Sequence, residues 1–403
     1  MRLAESDQQA DSYTRLWPLS RAADSLAKAV AKKRVTLAQV ARAAGVSQTA
    51  ASYALAGRAA EMRISPEVEA RVRLAARDAG YRPNAVSRSL RTGTSQTVGF
   101  ISDTVATTAF AGHLIWGALD QARERDHLLL IAETEGDPQL ERELMTAMLD
   151  RGVDGLIVAS MYTREVAVPP VLMEAPAVLL NAVPVGNELI RSVVPDESEA
   201  GRLVARTLLK SGHGDGICLI GASPGGEVPK GSLAAVQRLD GILSVLHDAG
   251  VEVAGSVGCA DWQPAQGLEA TRRLLAEVAP SALICFNDRL AFGAYQALAD
   301  AGLDVPDDVS VISFDDDPLA SWIRPSLTTV ALPHYELGAA AVQVLLDQLE
   351  GRLQEPDGTL VRSITMPLRV RESVRGLGSD GVAGASVGTA VELAAATRMR
   401  RPG

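Results

Sequence analysis

The chain has 403 residues, 47% of them hydrophobic and only 4% aromatic, and a formal net charge of −10. That length points to more than one domain, and no run approaches the roughly 20 uncharged apolar residues that a membrane span needs. Three scattered cysteines, Cys218, Cys259 and Cys285, offer no CxxC pair, which argues for reduced thiols rather than a disulfide frame.

Residues 1–33 contain Asp7, Asp11 and Asp24 and no apolar run. They read as a disordered N-terminal extension rather than a secretory signal. The charge is uneven beyond that point. Residues 32–92 hold twelve Lys and Arg against four acids, a net +8, while residues 93–403 carry −18. A small basic head on a large acidic body fits one end that binds phosphates. A solvated helical surface gives the same charge cluster, so charge alone does not decide it.

Residues 34–81 spell out a helical head. Thr36-Leu-Ala-Gln39 has the form of a capping box. Leu37, Val40, Ala41 and Ala44 follow helical spacing, and Gly45 supplies a left-handed stop. Ser47 caps the next helix, with Ala50, Ala51, Ala54 and Leu55 expected inward. Ser65-Pro66-Glu67 starts a third helix that is expected to run to Gly80, with Val68, Val72, Leu74 and Ala75 in the core. Two short helices around a glycine turn make a helix-turn-helix.

Tyr81-Arg-Pro-Asn84 follows at once. The runs VTLAQVARAAGVSQTAASYALAG (35–57), ISPEVEARVRLAARDAGYRPNAVSRSLRTG (64–93) and TVGFI (97–101) together resemble the amino end of the lactose-repressor (LacI) family. The resemblance implies that residues 82–95 are a hinge helix and linker, ordering on the operator and entering the minor groove. It places Leu90 as an apolar wedge between base pairs, a device that unstacks a step and bends the duplex. It carries base-edge roles onto Gln48, Thr49 and Tyr53 and phosphate or positioning roles onto Ser47, Ala50 and Asn84, and it counts Thr36, Leu37, Ser52 and Ser87 among the DNA-binding residues as well. Tyr53 stands where many members have Arg, Ala50 where many have Thr and Ala56 where many have Asn. Without that arginine a bidentate guanine contact is lost, so the half-site cannot be copied from a relative.

From Gln96 strands and helices alternate. Apolar runs lie at 97–101, 128–132, 155–159, 177–180, 217–221, 282–286 and 309–314, with helical stretches such as 110–125, 138–151, 197–211, 264–278 and 288–301 between them. Continuously apolar strands separated by helices predict parallel sheets covered on both faces. Periodicity alone leaves enzyme and binding protein both open. The resemblance extends over RGVDGLIV (151–158), GHGDGICLIG (212–221), RLDG (238–241), ICFNDRLAFGA (284–294), VSVISFDDDPLA (309–320), RPSLTTV (324–330) and MPLRVRES (366–373). It implies a two-lobed α/β periplasmic-binding-protein-like domain over 96–373, with chain crossings expected near 211–214, 332–333 and 355–360.

By the same resemblance Phe110, Asp196, Arg238, Trp262, Asn287 and Asp315 are candidate effector-binding residues. Arg238 is a fork donor, the carboxylates and the amide suit paired hydroxyls, and Trp262 suits the apolar face of a sugar ring. Each has a plainer reading: Asp196 and Asp315 as caps or loop formers, Trp262 as lobe core, Arg238 as the partner of an acid. The set favours a sugar, with a purine-like effector open.

Other apparent motifs count for little. Gly221–Gly226 lacks the GK[ST] ending of a phosphate loop. Asp315-Asp316-Asp317 lacks the further ligands of a metal site. The five histidines show no HExxH, and GxSxG is missing. Neither a catalytic set nor a cofactor or metal is therefore expected. Residues 374–403, rich in Gly, Ala, Ser and Thr, read as a disordered tail without a leucine heptad, leaving a homodimer as the expected assembly. The expectation is a cytoplasmic repressor that binds pseudo-palindromic double-stranded operator DNA and a small effector, with no membrane partner. The competing reading, a solute-binding protein of a sugar transporter, needs a signal peptide or lipobox.

Overall fold

The computed structural model describes residues 35–81, 89, 93–108, 112–186, 189–225, 228–353 and 360–377. The chain divides into two units at Gly93/Thr94.

The first unit is three helices, α1 (Leu37–Ala44), α2 (Gln48–Leu55) and α3 (Pro66–Asp78). All three N-caps form as the sequence predicts. Thr36 Oγ1 accepts from the Gln39 N–H while Gln39 Oε1 accepts from the Thr36 N–H, and Ser47 and Ser65 accept from Ala50 and Val68. Gly45 ends α1 at φ 65°, a region where a side chain would be strained. The core is small: Val40, Ala41, Ala44, Ala51, Ala54, Val72 and Ala76. Leu74 departs from expectation, being 52% exposed. It lies two positions from Val72, about 200° around a helix, and so faces solvent. Arg71 ties α3 to α1 by donating from Nε to the Ala44 carbonyl at 2.8 Å.

The second unit holds two six-stranded sheets. The first lobe contains β1 (Thr97–Ser102), α4 (Gly112–Glu124), β2 (Leu128–Glu133), α5 (Pro138–Asp150), β3 (Gly155–Val166), β4 (Ala177–Pro184) and β5 (Arg191–Pro195). The second runs through α6 (Glu197–Lys210), β6 (Ile217–Gly221), α7 (Leu233–Asp248), β7 (Gly255–Gly258), α8 (Pro264–Leu275), β8 (Ala282–Cys285), α9 (Asp288–Asp300), β9 (Ser310–Asp315), α10 (Pro318–Trp322) and β10 (Thr328–Ala331). The chain returns as α11 (His334–Leu349) and β11 (Val361–Ile364) to the first lobe and ends as β12 (Leu368–Arg369) in the second. Strand orders are β11-β5-β4-β3-β1-β2 and β12-β10-β9-β8-β6-β7. Every pairing is parallel except β10 with β12. Apolar clusters fill both faces of the first sheet and a larger cluster holds the second.

Two crossings fall elsewhere than the sequence suggested. The first is at Pro195–Glu197 rather than 211–214, because the apolar stripe of α6 (Ala200, Val204, Ala205, Leu208) packs into the second lobe. The Asp196 N–H still bonds the Ile364 carbonyl of β11, on the first-lobe side. The last crossing lies between Ile364 and Leu368, not at 355–360, since β11 is a short, exposed strand without an apolar signal. The middle crossing is at Leu332–Pro333, as expected. The body also continues past residue 373: Val374 is buried in the second lobe's core, and the Arg375 N–H bonds Ser310 Oγ at 3.0 Å.

Candidate functional site

In the head, Gln48 and Thr49 are exposed at the start of α2, while Ala50, Ser52 and Tyr53 are half-buried. Thr36 and Ser47 are caps whose side-chain oxygens are used by the helix ends, and Leu37 is half-buried against the core. Arg58 sits 5.1 Å over the Tyr53 ring and chelates Glu61 at 2.7 and 2.5 Å. Asn84, Ser87 and Leu90 lie outside the described residues, as does most of the stretch expected to form the hinge helix.

In the body, a cavity of about 210 Å³ opens between the lobes. Met161, Tyr162 and Thr163 from β3, with Asn181 from β4, form one wall. Glu197, Arg238, Trp262, Asn287 and Asp315 form the other. Main chain crosses the gap beside it, where Arg164 of β3 makes an antiparallel bridge with Ser232 ahead of α7.

Arg238 organises the second wall, and the fold explains how it is placed. Helices α6 and α7 cross at glycines: a Cβ on Gly201 would strike the Arg238 carbonyl, and one on Gly241 the Ser198 carbonyl. This close approach sets Arg238 against the first turn of α6, 3% exposed. Its Nε donates to Glu197 Oε2 at 2.6 Å and its Nη2 to Glu197 Oε1 at 3.2 Å. Nη1 donates to the Phe286 carbonyl at 2.6 Å, and Nη2 also reaches Asp315 Oδ1 at 3.3 Å. The guanidinium lies 4.6 Å over the Phe314 ring. Burial works against its charge, but Glu197 and Asp315 outweigh that and raise its pKa. The plainer reading of Arg238, as partner of an acid, describes most of its bonding.

Asn287 caps α9, accepting from the Leu290 N–H at 2.8 Å, and its Nδ2 donates to the Trp262 carbonyl at 3.2 Å. Trp262 Nε1 donates to the Gly221 carbonyl at 3.0 Å, which fixes the ring in the cavity wall. Asp315 has φ 110°, a strained backbone of the kind that clusters at binding sites, and burial pushes its carboxyl up to about 6. Asp196 instead caps α6, accepting from Glu199 N–H at 3.0 Å, and opens on a neighbouring cavity of about 150 Å³. Phe110 lies outside the described residues. The structure thus brings Arg238, Trp262, Asn287 and Asp315 together and sets Asp196 aside.

Several cavity residues carry no sequence signal, among them Glu197, Asp288, Asn181 and Thr163. Glu197 is the neighbour of a candidate, and helical geometry makes its carboxylate, not that of Asp196, meet Arg238. Asp288, next to Asn287, is 1% exposed. Its Oδ1 accepts from the Ser313 and Thr329 hydroxyls and its Oδ2 from the Asp317 N–H at 2.7 Å. Burial pushes it up to about 8. Asn181 (φ 53°) and Thr163 are buried with Oδ1 and Oγ1 lacking a hydrogen-bond partner among the described residues; only the left-handed backbone of Asn181, invisible in sequence, marks it.

The acidic triplet disperses. Asp315 faces Arg238, Asp316 pairs with Arg371 at 2.5 Å, and Asp317 caps α10. Among the described residues there is no cluster of three or more metal-ligating side chains, and no helix is long and apolar enough to cross a membrane.

Residues 36–84 match the family model described as bacterial regulatory proteins, lacI family, and residues 205–374 match the periplasmic binding protein-like domain. The chain is 31% identical over 319 residues to the ribose operon repressor of Escherichia coli (strain K12), covering 78% of this chain and 93% of that protein. It is 28% identical over 355 residues to the HTH-type transcriptional repressor PurR of Photobacterium profundum, covering 85% and 99%. The crystal structure of the lac repressor dimer bound to operator and the anti-inducer ONPF superposes with a TM-score of 0.70 at 24% identity, over 85% of this chain and all of that one. At that identity the likeness speaks for the fold.

Proposed function

Since the chain belongs to the lacI family of bacterial regulatory proteins, we propose that it is a sequence-specific DNA-binding transcriptional regulator, a repressor, whose operator affinity is set by a small effector in the cleft of its body. The observation that carries this is the coexistence of a capped helix pair exposing Gln48 and Thr49 with a walled cavity in the body that holds several polar side chains. The working unit is a cytoplasmic homodimer on a pseudo-palindromic operator, without enzymatic activity. Gln48, Thr49 and Tyr53 face base edges, as residues near the start of a recognition helix do. Ser47, Ala50 and Asn84 position the head on phosphates, Thr36, Leu37, Ser52 and Ser87 complete the DNA-binding set, and Leu90 is the minor-groove wedge.

The effector is a sugar. Trp262 offers a ring face, and Asn287 and Asp315 stand beside it with hydrogen-bonding capacity; the ribose operon repressor is among the relatives. The effector works only through different affinities for two states of the body. A gel shift with genomic fragments at moderate salt tests the first part, and binding without sequence preference overturns it. Calorimetric titration with sugars tests the second, with failure of the best sugar to alter operator affinity as the refuting result.

A further inference from the structure

The charge around the cavity is lopsided. Four carboxylates line it (Glu197, Asp261, Asp315, Asp317), beside Asp288, whose carboxyl burial holds largely protonated near neutral pH, against two guanidiniums, Arg238 and Arg289. The better buried cation is already engaged, with Glu197 taking two of its donors, the Phe286 carbonyl a third and Asp315 another contact. Helix N-termini ordinarily attract anions. Here the first residue of α6 is Glu197, almost fully buried, so the chain's own carboxylate answers that helix end at the cavity.

Beside the Arg289 guanidinium, what the second wall leaves toward a ligand is acceptor capacity. Carboxylate oxygens have several lone pairs each, and Arg238 uses only part of those on Glu197 and Asp315. Asn181 Oδ1 and Thr163 Oγ1, 3% and 2% exposed residues on the opposite wall, have no hydrogen-bond partner among the described residues. Buried polar atoms without partners are costly, and a ligand hydroxyl satisfies an acceptor of this kind.

Resting on the proposed sugar effector, we infer that Glu197 makes this cavity selective for an uncharged, hydroxyl-donating ligand and closes it to the phosphorylated or carboxylated form of the same molecule. Arg238 then acts as a positioning residue for two acceptors. A phosphate or carboxylate brought here meets carboxylates that Arg238, shared between Glu197 and Asp315, only partly neutralises, which is a repulsive device for specificity.

The test is titration calorimetry of the full-length protein with matched pairs: D-ribose and D-ribose 5-phosphate, D-glucose and D-glucuronate, adenosine and AMP. The uncharged member of the binding pair is expected to be the tighter by about a hundredfold or more, since juxtaposed like charge costs several kcal/mol. A charged member binding as well or better overturns the inference. If adenosine binds and both sugars are silent, the sugar reading fails, while the charge rule is still decided by AMP. Glu197→Gln keeps an acceptor for Arg238 and is expected to narrow the ratio about tenfold; Asp315→Asn serves as the second variant should the first fail to fold. Inorganic phosphate is the ligand-independent probe: silence in the wild type with saturable heat in E197Q supports the inference. Saturable heat in the wild type, or silence in both proteins, overturns it.

Discussion

The head and the body are stabilised in different ways, and the contrast explains what each can do. The head's core consists of two valines and five alanines, and its ends are fixed by short-range caps between residues three apart. With so little apolar area, such a unit is marginal by size. The body closes its cores with continuous apolar strands and large side chains such as Phe100, Phe286 and Phe314. That surplus tolerates a costly polar cluster: a buried arginine between two carboxylates, backed by Asp288. The region that reads DNA is held by local hydrogen bonds, and the region that senses a ligand is held by contacts distant in sequence.

The sharpest way to break this contrast is Arg238→Ala. It strands Glu197 and Asp315 as buried charge and is expected to destabilise the body by about 3–5 kcal/mol. The variant therefore does more than silence the effector response. Scanning calorimetry that resolves head from body checks it; an unchanged body transition shows that the ion cluster is not structural. Gly201→Val forces α6 from α7 and is expected to cost about 1–3 kcal/mol by overpacking, again in the body, with chemical denaturation as the measurement.

Asp288 gives a pH signature. Its carboxyl is raised to about 8 in the folded protein from an ordinary 3.8, so between those values the folded state binds the extra proton. Stability is then highest at the acid end of that window and falls as pH rises toward 8. Body melting temperatures from pH 5 to pH 8 should fall, and Asp288→Asn should flatten the trend; a wild-type slope retained in the variant assigns it elsewhere. The smallest effects belong to the head. Ser47→Ala and Thr36→Ala should each cost about 1 kcal/mol, lowering the head's transition and leaving the body's untouched, as circular dichroism melts would show.

Legibility in the sequence follows the same division. Caps, Gly45 and the apolar spacing specified α1, α2 and α3 nearly residue by residue, because those interactions span three or four positions. The long apolar strands of the body were equally plain. The helices α7, α10 and α11 and the strands β5, β7, β10, β11 and β12 lie outside the elements the sequence pattern predicts. The strands have two to five residues, too few for a pattern, and α11 is apolar around much of its circumference. The site was legible by type of residue but not by partner: Arg238, Trp262, Asn287 and Asp315 meet at the cavity, yet Glu197 was passed over for its neighbour Asp196.

What the sequence determined by itself was therefore whatever depends on neighbours along the chain: the capped head, the alternating apolar strands and the chemical kinds of group available to a cleft. What only the tertiary structure decided was which carboxylate meets Arg238, where the chain crosses between lobes, and which way the cavity's charge falls. The physical reason is the crossing of α6 and α7 at Gly201 and Gly241. Glu197 and Arg238 lie 41 residues apart, and only the angle and closeness of two packed helices bring them to 2.6 Å.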